Sequence, residues 1–482
     1  MSGATTPADG LPDGLVAVVK RDCPTCTLVA PVLAQLAAGG ESLTVFCQDD
    51  PSFPPGVTVV DDTGLDVSLA LELDTVPTLL RVEGGTEVER TVGWSRPAWE
   101  KLTGRSPLGD GLPEHRPGCG SLTADPVVAE RLAARSTGLA SRRMELASAE
   151  DEAEAFFERG WTDGLPVVPP TPARVLRMLE GTTRAPGEVV ALVPPEFNEA
   201  TVEKVAVNAV MAGCRPEYLP VVLAAVEASC TDEFNMHGLL CTTWFAGPVI
   251  IVNGPARRQL GMNSGVNALG QGNRANATIG RALQLVVRNV GGGRPGEIDR
   301  ATLGNPGKYT FCFAEDEEGS PWEPLSTERG IPDGTSAVTL FAGYGPHGVA
   351  DQQSRDPESL ARSLAWALEG IFHPKLAFYT DSVLVVSPEH AHIFREAGWS
   401  KARLREELIR LLTKPGTEMV RGTLGCAEGM PESLIDADIP KYTPDGLLIV
   451  HAGGGAGLFS AVIGGWVRGE IGSTPVTREV GT

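Results

Sequence analysis

The sequence lacks long apolar runs and has a deficit of positive charge. Its longest apolar stretches, such as YLPVVLAAVEA, are interrupted and shorter than the roughly 20 residues that cross a bilayer. The opening MSGATTPADGLPDG lacks the basic start and the long apolar segment of a secretory signal. There are 40 Lys and Arg against 61 Asp and Glu, and the net charge of −21 argues against nucleic acid or an anionic membrane as partner. We therefore expect a cytoplasmic protein.

Cysteine is also sparse, and the common catalytic signatures are missing. The nine cysteines are an odd number and too few to staple a chain of 482 residues, so in a reducing compartment most would remain thiols. The sequence contains no Walker pattern, no His-Glu-x-x-His and no nucleophile elbow. The residues therefore leave the identity of any bound metal open.

The length predicts more than one domain, and composition suggests where they divide. Residues 1–14 are small and polar, which is typical of a mobile tail. Strand-like and helix-like segments follow over 15–104, and residues 105–145 are rich in Pro and Gly. We expect 105–145 to be a linker that contains Cys119, and 146–482 to be a larger α/β domain with alternating strands and helices.

Two cysteines stand at a strand-to-helix junction. Cys23 and Cys26 lie between the strand-like GLVAVVK and the helix-like TLVAPVLAQLA. A thiol at a helix N-terminus receives hydrogen bonds from free amides, which lowers its pKa, and a second thiol one turn later can resolve a mixed disulfide. Cys23 is therefore the predicted attacking thiol and Cys26 the resolving thiol. The alternative, half of a zinc site, needs a second ligand pair, and Cys47 has no nearby companion.

The element order β-α-β-α-β-β-α, the Cys23-Pro-Thr-Cys26 motif and the Val76-Pro77 pair resemble the thioredoxin fold. The resemblance covers 15–104. It implies a cis Val76–Pro77 bond beside the redox pair, a redox-active disulfide Cys23–Cys26, and an electron donor similar to thioredoxin reductase. One difference is Asp22, where the family commonly has tryptophan. This acid opposes thiolate formation, whereas Arg21 and the helix N-terminus favour it.

The larger domain resembles a poorly characterised bacterial α/β domain that carries GWTDGLPVVPPT and GCRPEYLPVV, and the resemblance implies an architecture but no reaction. Its candidate residues therefore rest on local patterns. His237 and Cys241 are four apart and would share a face of a helix, as metal ligands or a thiolate–imidazolium pair. The plain alternative is a buried cysteine near a structural histidine.

Other candidates lie in polar or glycine-rich stretches. The asparagine-rich segment 263–281 could present amides and a guanidinium to an anionic or carbonyl-bearing ligand, or could be only a capped turn. The predicted substrate-binding residues are Asn235, Asn273, Arg274, Asn276 and His347, the last in a glycine-rich loop. Cys426, among glycines, is a further candidate reactive thiol.

The leading hypothesis is an oxidoreductase whose thioredoxin-like module supplies reducing equivalents to a small-molecule site in the larger domain. Cys119 would relay the disulfide between them, and Cys241 or Cys426 would receive it. Three alternatives remain open. They are a metal-dependent lyase or hydrolase using His237, Cys241 and either His347 or His451, a persulfide-carrying sulfur-transfer enzyme, and a non-catalytic redox sensor. The glycine-rich C-terminal segment could instead line the interface of a homo-oligomer.

Overall fold

A computed structural model of the chain describes residues 11–125, 128, 132, 139–142, 144, 146, 151–425 and 429–481. The chain divides into two compact units, Met1–Leu139 and Ala140–Thr482. Both contain helices and sheets, as the α/β prediction requires. Within the described ranges, every helix is too short or too polar to cross a membrane.

Unit 1 is built around a five-stranded sheet in the order β3-β2-β1-β5-β6. Strands β1, β2 and β3 are parallel, whereas β5 runs antiparallel to β1 and β6 antiparallel to β5. The strands are β1 Gly14–Val19, β2 Leu43–Cys47, β3 Val59–Asp61, β4 Thr75–Val76, β5 Thr78–Glu83, β6 Thr86–Val92, β7 Trp94–Ser95, β8 His115–Arg116 and β9 Cys119–Gly120. The helices are α1 Pro24–Ala38, α2 Asp66–Ala70 and α3 Arg96–Thr103.

Local sequence explains why α1 and α3 begin and end where they do. Pro24 occupies the first turn of α1, where a missing N–H costs nothing, and Cys23 precedes it with extended backbone. Helix α3 ends at Gly104, whose φ of 70° favours a residue without a side chain. The buried faces of β1 and α1 pack into one apolar core with Trp94 and Trp99.

The segment that we expected to be a linker differs from that expectation over residues 105–125. Strand β8 pairs with β7, and β9 pairs with β4, so this part of the chain belongs to unit 1. The Trp94 indole N–H donates to the carbonyl of Pro113 at 2.6 Å, and the buried Gln48 amide donates to Ser121 Oγ at 2.7 Å. Most of the prolines and glycines of this segment lie in the loops before and between the short strands that pair with the rest of unit 1. Composition alone does not distinguish such a segment from a free linker.

Unit 2 has a seven-stranded mixed sheet in the order β13-β12-β14-β19-β15-β18, with β20 added beside β14. Its strands are β12 Gly247–Asn253, β13 Cys312–Ala314, β14 Ala337–Ala350, β15 Thr380–Val386, β18 Leu447–His451, β19 Phe459–Val467 and β20 Val476–Glu479. Two small pairs lie outside it, β10 Val189–Val193 with β11 Asn198–Thr201, and β16 Thr413–Pro415 with β17 Asp438–Pro440.

The helices of unit 2 include a long one that begins within the sequence-predicted substrate segment. The helices are α4 Glu152–Glu158, α5 Pro172–Leu179, α6 Val202–Ala212, α7 Leu219–Ser229, α8 Met236–Cys241, α9 Ala256–Gln259, α10 Arg274–Asn289, α11 Leu325–Glu328, α12 Pro357–Glu369, α13 Pro388–Glu396, α14 Lys401–Leu411 and α15 Gly416–Met419. Helix α10 packs against α6 and α7.

The large sheet is buried on both faces. In β15, Leu384 and Val386 join the core formed with α12, α13 and α14, whereas Val383 and Val385 point into a second core with Phe311. Successive side chains of a strand alternate between faces, so a strand covered on both sides reads as a continuous apolar run, as VLVV does here.

Candidate functional site

Three cysteines of unit 1 meet at the N-terminus of α1. Cys23 caps this helix, and the backbone N–H of Cys26 donates to its Sγ at 3.3 Å. Cys26 is fully buried beneath it, and its Sγ accepts from the backbone N–H of Lys20 at 3.5 Å. The Sγ of Cys119 lies 2.7 Å from the Sγ of Cys23. No disulfide joins them, and all three are free thiols.

Cys119 reaches this position because its strand pairs with the loop before Pro77. The antiparallel pair β4–β9 sets Val76 opposite Cys119 and Thr75 opposite Gly120. The Val76 carbonyl lies 3.7 Å from Cys23 Sγ, and the Val76–Pro77 bond is cis, as the family resemblance implied. Because β4 belongs to the segment that flanks Cys23, pairing with it places Cys119 next to Cys23.

A side-chain hydrogen bond and a glycine hold the Cys119 segment close. The buried Thr25 hydroxyl, in the first turn of α1, donates to the carbonyl of Pro117 at 2.7 Å. A Cβ on Gly118 would lie 2.4 Å from Thr75 Cγ2 and 2.8 Å from the Val76 carbonyl oxygen. Only glycine therefore permits this approach. The sequence did not predict these roles of Thr25, Pro117 and Gly118, and the glycine on each side of Cys119 is the only local signal for them.

The three thiols differ in their pKa, which is lowered for Cys23 and raised for Cys26 and Cys119. The pKa of Cys23 is lowered to about 5, first by its hydrogen bond with the Cys26 side chain, against burial, and further by the Cys119 thiol and the amides of Cys26 and Thr25. Burial, followed by the hydrogen bond to Cys23, raises the pKa of Cys26 far above its usual range. The same two causes raise the pKa of Cys119. The negative charge of the cluster therefore resides on Cys23.

Of the charged neighbours expected to tune Cys23, Arg21 is engaged in an ion pair elsewhere. The Arg21 guanidinium pairs with Asp50, and the backbone N–H of Asp22 donates to Asp49 Oδ2 at 2.9 Å. The groups that lower the Cys23 pKa are the two other thiols and the helix amides. Hydrogen bonds from the neighbouring thiols and the helix amides, rather than a flanking basic residue, thus stabilise the thiolate.

In unit 2, the predicted His237–Cys241 pair lies on α8, and both residues are exposed. The His237 ring stacks on Phe197, with centroids 5.8 Å apart and planes 15° apart. Asn235 caps the helix with Oδ1, which accepts from the Gly238 N–H at 2.9 Å, and its Nδ2 donates to the carbonyl of Gly472 at 2.8 Å. The amide of Asn235 is therefore already satisfied within the protein.

The asparagine-rich segment also satisfies its own polar groups. Asn273 caps α10 through Asn276 N–H and donates to the Gly261 carbonyl at 2.7 Å. The Asn276 side chain accepts from Asn263 N–H at 3.0 Å and donates to the Asn263 carbonyl at 2.9 Å. The Arg274 Nε donates to the Gly213 carbonyl at 2.9 Å. This geometry corresponds to the capped-turn alternative of the sequence analysis.

The remaining candidates are dispersed. His347 lies in β14 opposite Val462, beyond a register shift between Gly343 and Pro346, so the expected glycine-rich loop is a strand. His451 is buried, with Nδ1 3.0 Å from the Asp316 carbonyl oxygen. Cys426 lies outside the described residues. Across the described ranges, no group of three or more His, Cys, Asp or Glu is placed to hold a metal ion.

Two comparisons with known proteins identify no relative of this chain. A scan against protein-family models matches none of them, and a search of curated proteins finds no match.

Proposed function

We propose that residues 14–125 form a thioredoxin-like module that catalyses thiol–disulfide exchange, with Cys119 as its internal exchange partner. The observation that carries the proposal is the 2.7 Å separation between Cys119 Sγ and the acidic Cys23 Sγ. The sheet order and the position of Cys23 before α1 support the thioredoxin-like fold.

The proposed reaction starts with Cys119 as a mixed disulfide with a small thiol, Cys119–S–S–R. The Cys23 thiolate attacks Cys119 Sγ, so the Cys23–Cys119 bond forms and RS⁻ leaves, taking a proton from solvent. Cys26 then loses its proton and attacks Cys23 Sγ, and Cys119 departs as a thiol after protonation. An external dithiol supplies two electrons and two protons to reduce the resulting Cys23–Cys26 disulfide.

The distribution of pKa values supports these roles. The thiolate is the attacking form of a cysteine, and with a pKa of about 5 Cys23 is almost fully ionised at neutral pH. The high pKa of buried Cys26 keeps it protonated until Cys23 has lost its charge by forming a bond to Cys119. Neutralising Cys23 removes one cause of that high pKa, so the resolving step follows the attacking step.

The experiment is disulfide mapping by mass spectrometry in the Cys26→Ser variant after exposure to a small disulfide such as oxidised glutathione. Cys23 is expected to accumulate in a bond to Cys119. A Gly118→Ala change in the same background should abolish that bond, because the new Cβ collides with Thr75 and Val76. Gly120→Ala is the matched control, since a Cβ there has nothing within 4 Å.

Two results would overturn the proposal. One is a Cys26→Ser protein in which Cys23 links only to external thiols. The other is equal Cys23–Cys119 bonding in the Gly118→Ala and Gly120→Ala proteins.

We also propose that the module serves a small-molecule site in unit 2. Cys241 is the candidate acceptor, because it is an exposed thiol of that unit. The same mass map tests this extension through a Cys23–Cys241 bond, which Cys241→Ser removes. Absence of that bond under every redox condition would limit the proposal to the exchange within unit 1.

A further inference from the structure

A cavity of about 540 Å³ lies in unit 2, between α8, the start of β12, the C-terminal half of α10 and the loop over residues 293–309. Its volume falls in the range typical of small-molecule sites, roughly 300–1,000 Å³. No cysteine lines it, so it stands apart from the thiol chemistry of unit 1. The asparagine-rich segment 263–281 contributes no residue to its wall.

Most of the cavity wall is apolar. Met236, Leu239 and Leu240 line it from α8, and Val287 lines it from α10. At the rim, the Leu303 side chain is 80% exposed. A large apolar side chain that is exposed beside a cavity gives an entering molecule additional area to cover.

The charged groups of the wall are paired, with one exception. Asp163 forms a bidentate ion pair with Arg281, with both distances 2.8 Å. Lys308 Nζ lies 2.6 Å from Asp299 Oδ2. Among the described residues, the guanidinium of Arg288 has no carboxylate partner, and its only hydrogen bond runs from Nε to the Gly160 carbonyl at 3.3 Å. The terminal nitrogens of Arg288 are therefore the free cationic group of the wall.

A second unpaired donor lies one helical turn away. Gln284 Nε2 is buried without a hydrogen-bond partner in the described parts of the chain. Residues four apart on a helix share a face, so Gln284 and Arg288 both project toward the cavity from α10. Buried donors without partners are costly, and an acceptor in the cavity would remove that cost.

The surroundings of Arg288 favour an anion as that acceptor. Burial lowers the pKa of Arg288 and the nearby Arg294 lowers it further, which together outweigh the opposite effect of Asp163 and Glu297. Arg294 also has a buried Nε without a partner in the described ranges. The Arg288 guanidinium has no carboxylate paired with it in the described parts of the chain, so it can bind an oxyanion through two parallel hydrogen bonds from its fork.

We propose that this cavity binds a small organic acid, with its oxyanion group at Arg288 and Gln284 and its apolar body against Met236, Val287 and Leu303. The shared chemistry is an anionic head on an apolar tail, whether the head is a carboxylate or a phosphate. The site would not take a bare inorganic anion tightly, because most of its wall area is apolar.

The test uses the full chain and isothermal titration with phenylacetate, phenylpropionate and octanoate, each compared with its neutral amide. At least one acid is expected to bind saturably and at least about tenfold more tightly than its amide. Octyl phosphate and inorganic phosphate form two further arms. Tighter binding of octyl phosphate than octanoate assigns the head group to phosphate, and tight binding of inorganic phosphate contradicts the proposed apolar contact.

Variants separate the anion contact from general effects. Arg288→Gln is expected to weaken acid binding at least about tenfold, because it removes a charge-assisted hydrogen bond, and to leave amide binding unchanged. Arg410→Gln is the matched control, since Arg410 is an exposed arginine outside the cavity. Leu303→Ser changes an exposed residue and should weaken both acid and amide. Acids that bind no better than amides, or an Arg288→Gln protein that binds acids normally, would overturn the proposal.

Discussion

Val76 and Cys119 face each other across a two-residue antiparallel pair, and this pairing sets Cys119 Sγ 2.7 Å from Cys23 Sγ. The two sulfurs belong to residues 96 positions apart in the chain. Cys23 is therefore covered by a segment of its own unit and is only 1% exposed.

The first prediction concerns the pH dependence of Cys23 alkylation. Because the pKa of Cys23 is about 5, its reaction with iodoacetamide should rise with pH through a midpoint near 5 and be nearly constant around neutral pH. Cys119→Ala should shift the midpoint upward, since it removes a hydrogen bond to the thiolate. Rates measured by mass spectrometry on the reduced protein provide the check, and a midpoint near 8.5, the value of a free thiol, would contradict it.

The lowered pKa of Cys23 also predicts how the stability of unit 1 changes with pH. The folded pKa of Cys23 lies below its unfolded value, so the stabilisation is present above the unfolded pKa and is lost as the pH falls toward about 5. Hydrogen exchange of peptides from β1 and α1, in the reduced protein, should slow as the pH rises across this window, after correction for intrinsic rates. Cys23→Ser should remove that trend, and a trend that persists in the variant would assign it to another group.

A third prediction tests the hydrogen bond between Thr25 and Pro117. Thr25→Val keeps the side-chain shape but removes the donor to the Pro117 carbonyl, so Cys23–Cys119 bonding should form more slowly in a Cys26→Ser background. Unit 1 should lose about 1 kcal/mol of stability. The matched control is Thr103→Val, which removes a buried hydroxyl bonded to the Trp99 carbonyl. It should cost similar stability without slowing the exchange, and equal slowing in both proteins would argue against a specific role for Thr25.

A fourth prediction concerns access to Cys23 from outside. Gly118→Ala displaces the segment that covers Cys23, so the reduced protein should reduce insulin disulfides faster in a dithiothreitol-coupled turbidity assay. Gly120→Ala should leave the rate unchanged. If Gly118→Ala reduces insulin no faster than the unaltered protein, the segment does not limit access.

The fifth prediction addresses the ion pair beside the cavity of unit 2. Asp163→Asn breaks the partly buried pair with Arg281 and should destabilise unit 2 by about 3 kcal/mol in urea unfolding. The pKa of Asp163 is lowered overall, since the bonds to Arg281 outweigh burial. Its contribution is therefore present above the unfolded pKa of about 4 and is lost as the pH falls further. Asp333→Asn, at an exposed position, is the control and should change neither property.

Local patterns predicted the parts of unit 1 whose cause is local. The strand-like run before Cys23 and the helix-like run after Cys26 indicated the junction at which β1 ends and α1 begins. The place of Cys119 depends instead on a pairing between distant segments, and nothing in GCGS specifies Val76 as its partner. Composition therefore suggested a linker where the chain adds a strand.

In unit 2, the residue types that drew attention are those that hold loops together. Asn235, Asn273 and Asn276 use their amides to cap helices and bridge turns, which is the commonest use of asparagine at such positions. Arg288 and Gln284 have an ordinary helical spacing, and only the fold shows that one of them lacks an ion-pair partner. An unpaired charge is a property of the surroundings, so the sequence of α10 carries no sign of it.

The short pairing of β4 with β9 determines which disulfides can reach the Cys23 thiolate. A segment tethered in the same chain competes for Cys23 at an effective concentration on the order of millimolar, and an outside disulfide must exceed that to displace it. Cys119 is partly exposed whereas Cys23 is buried, so a diffusing oxidant meets Cys119 first. In the proposed exchange, the tether therefore makes the reactivity of Cys23 depend on the oxidation state of Cys119 in its own chain.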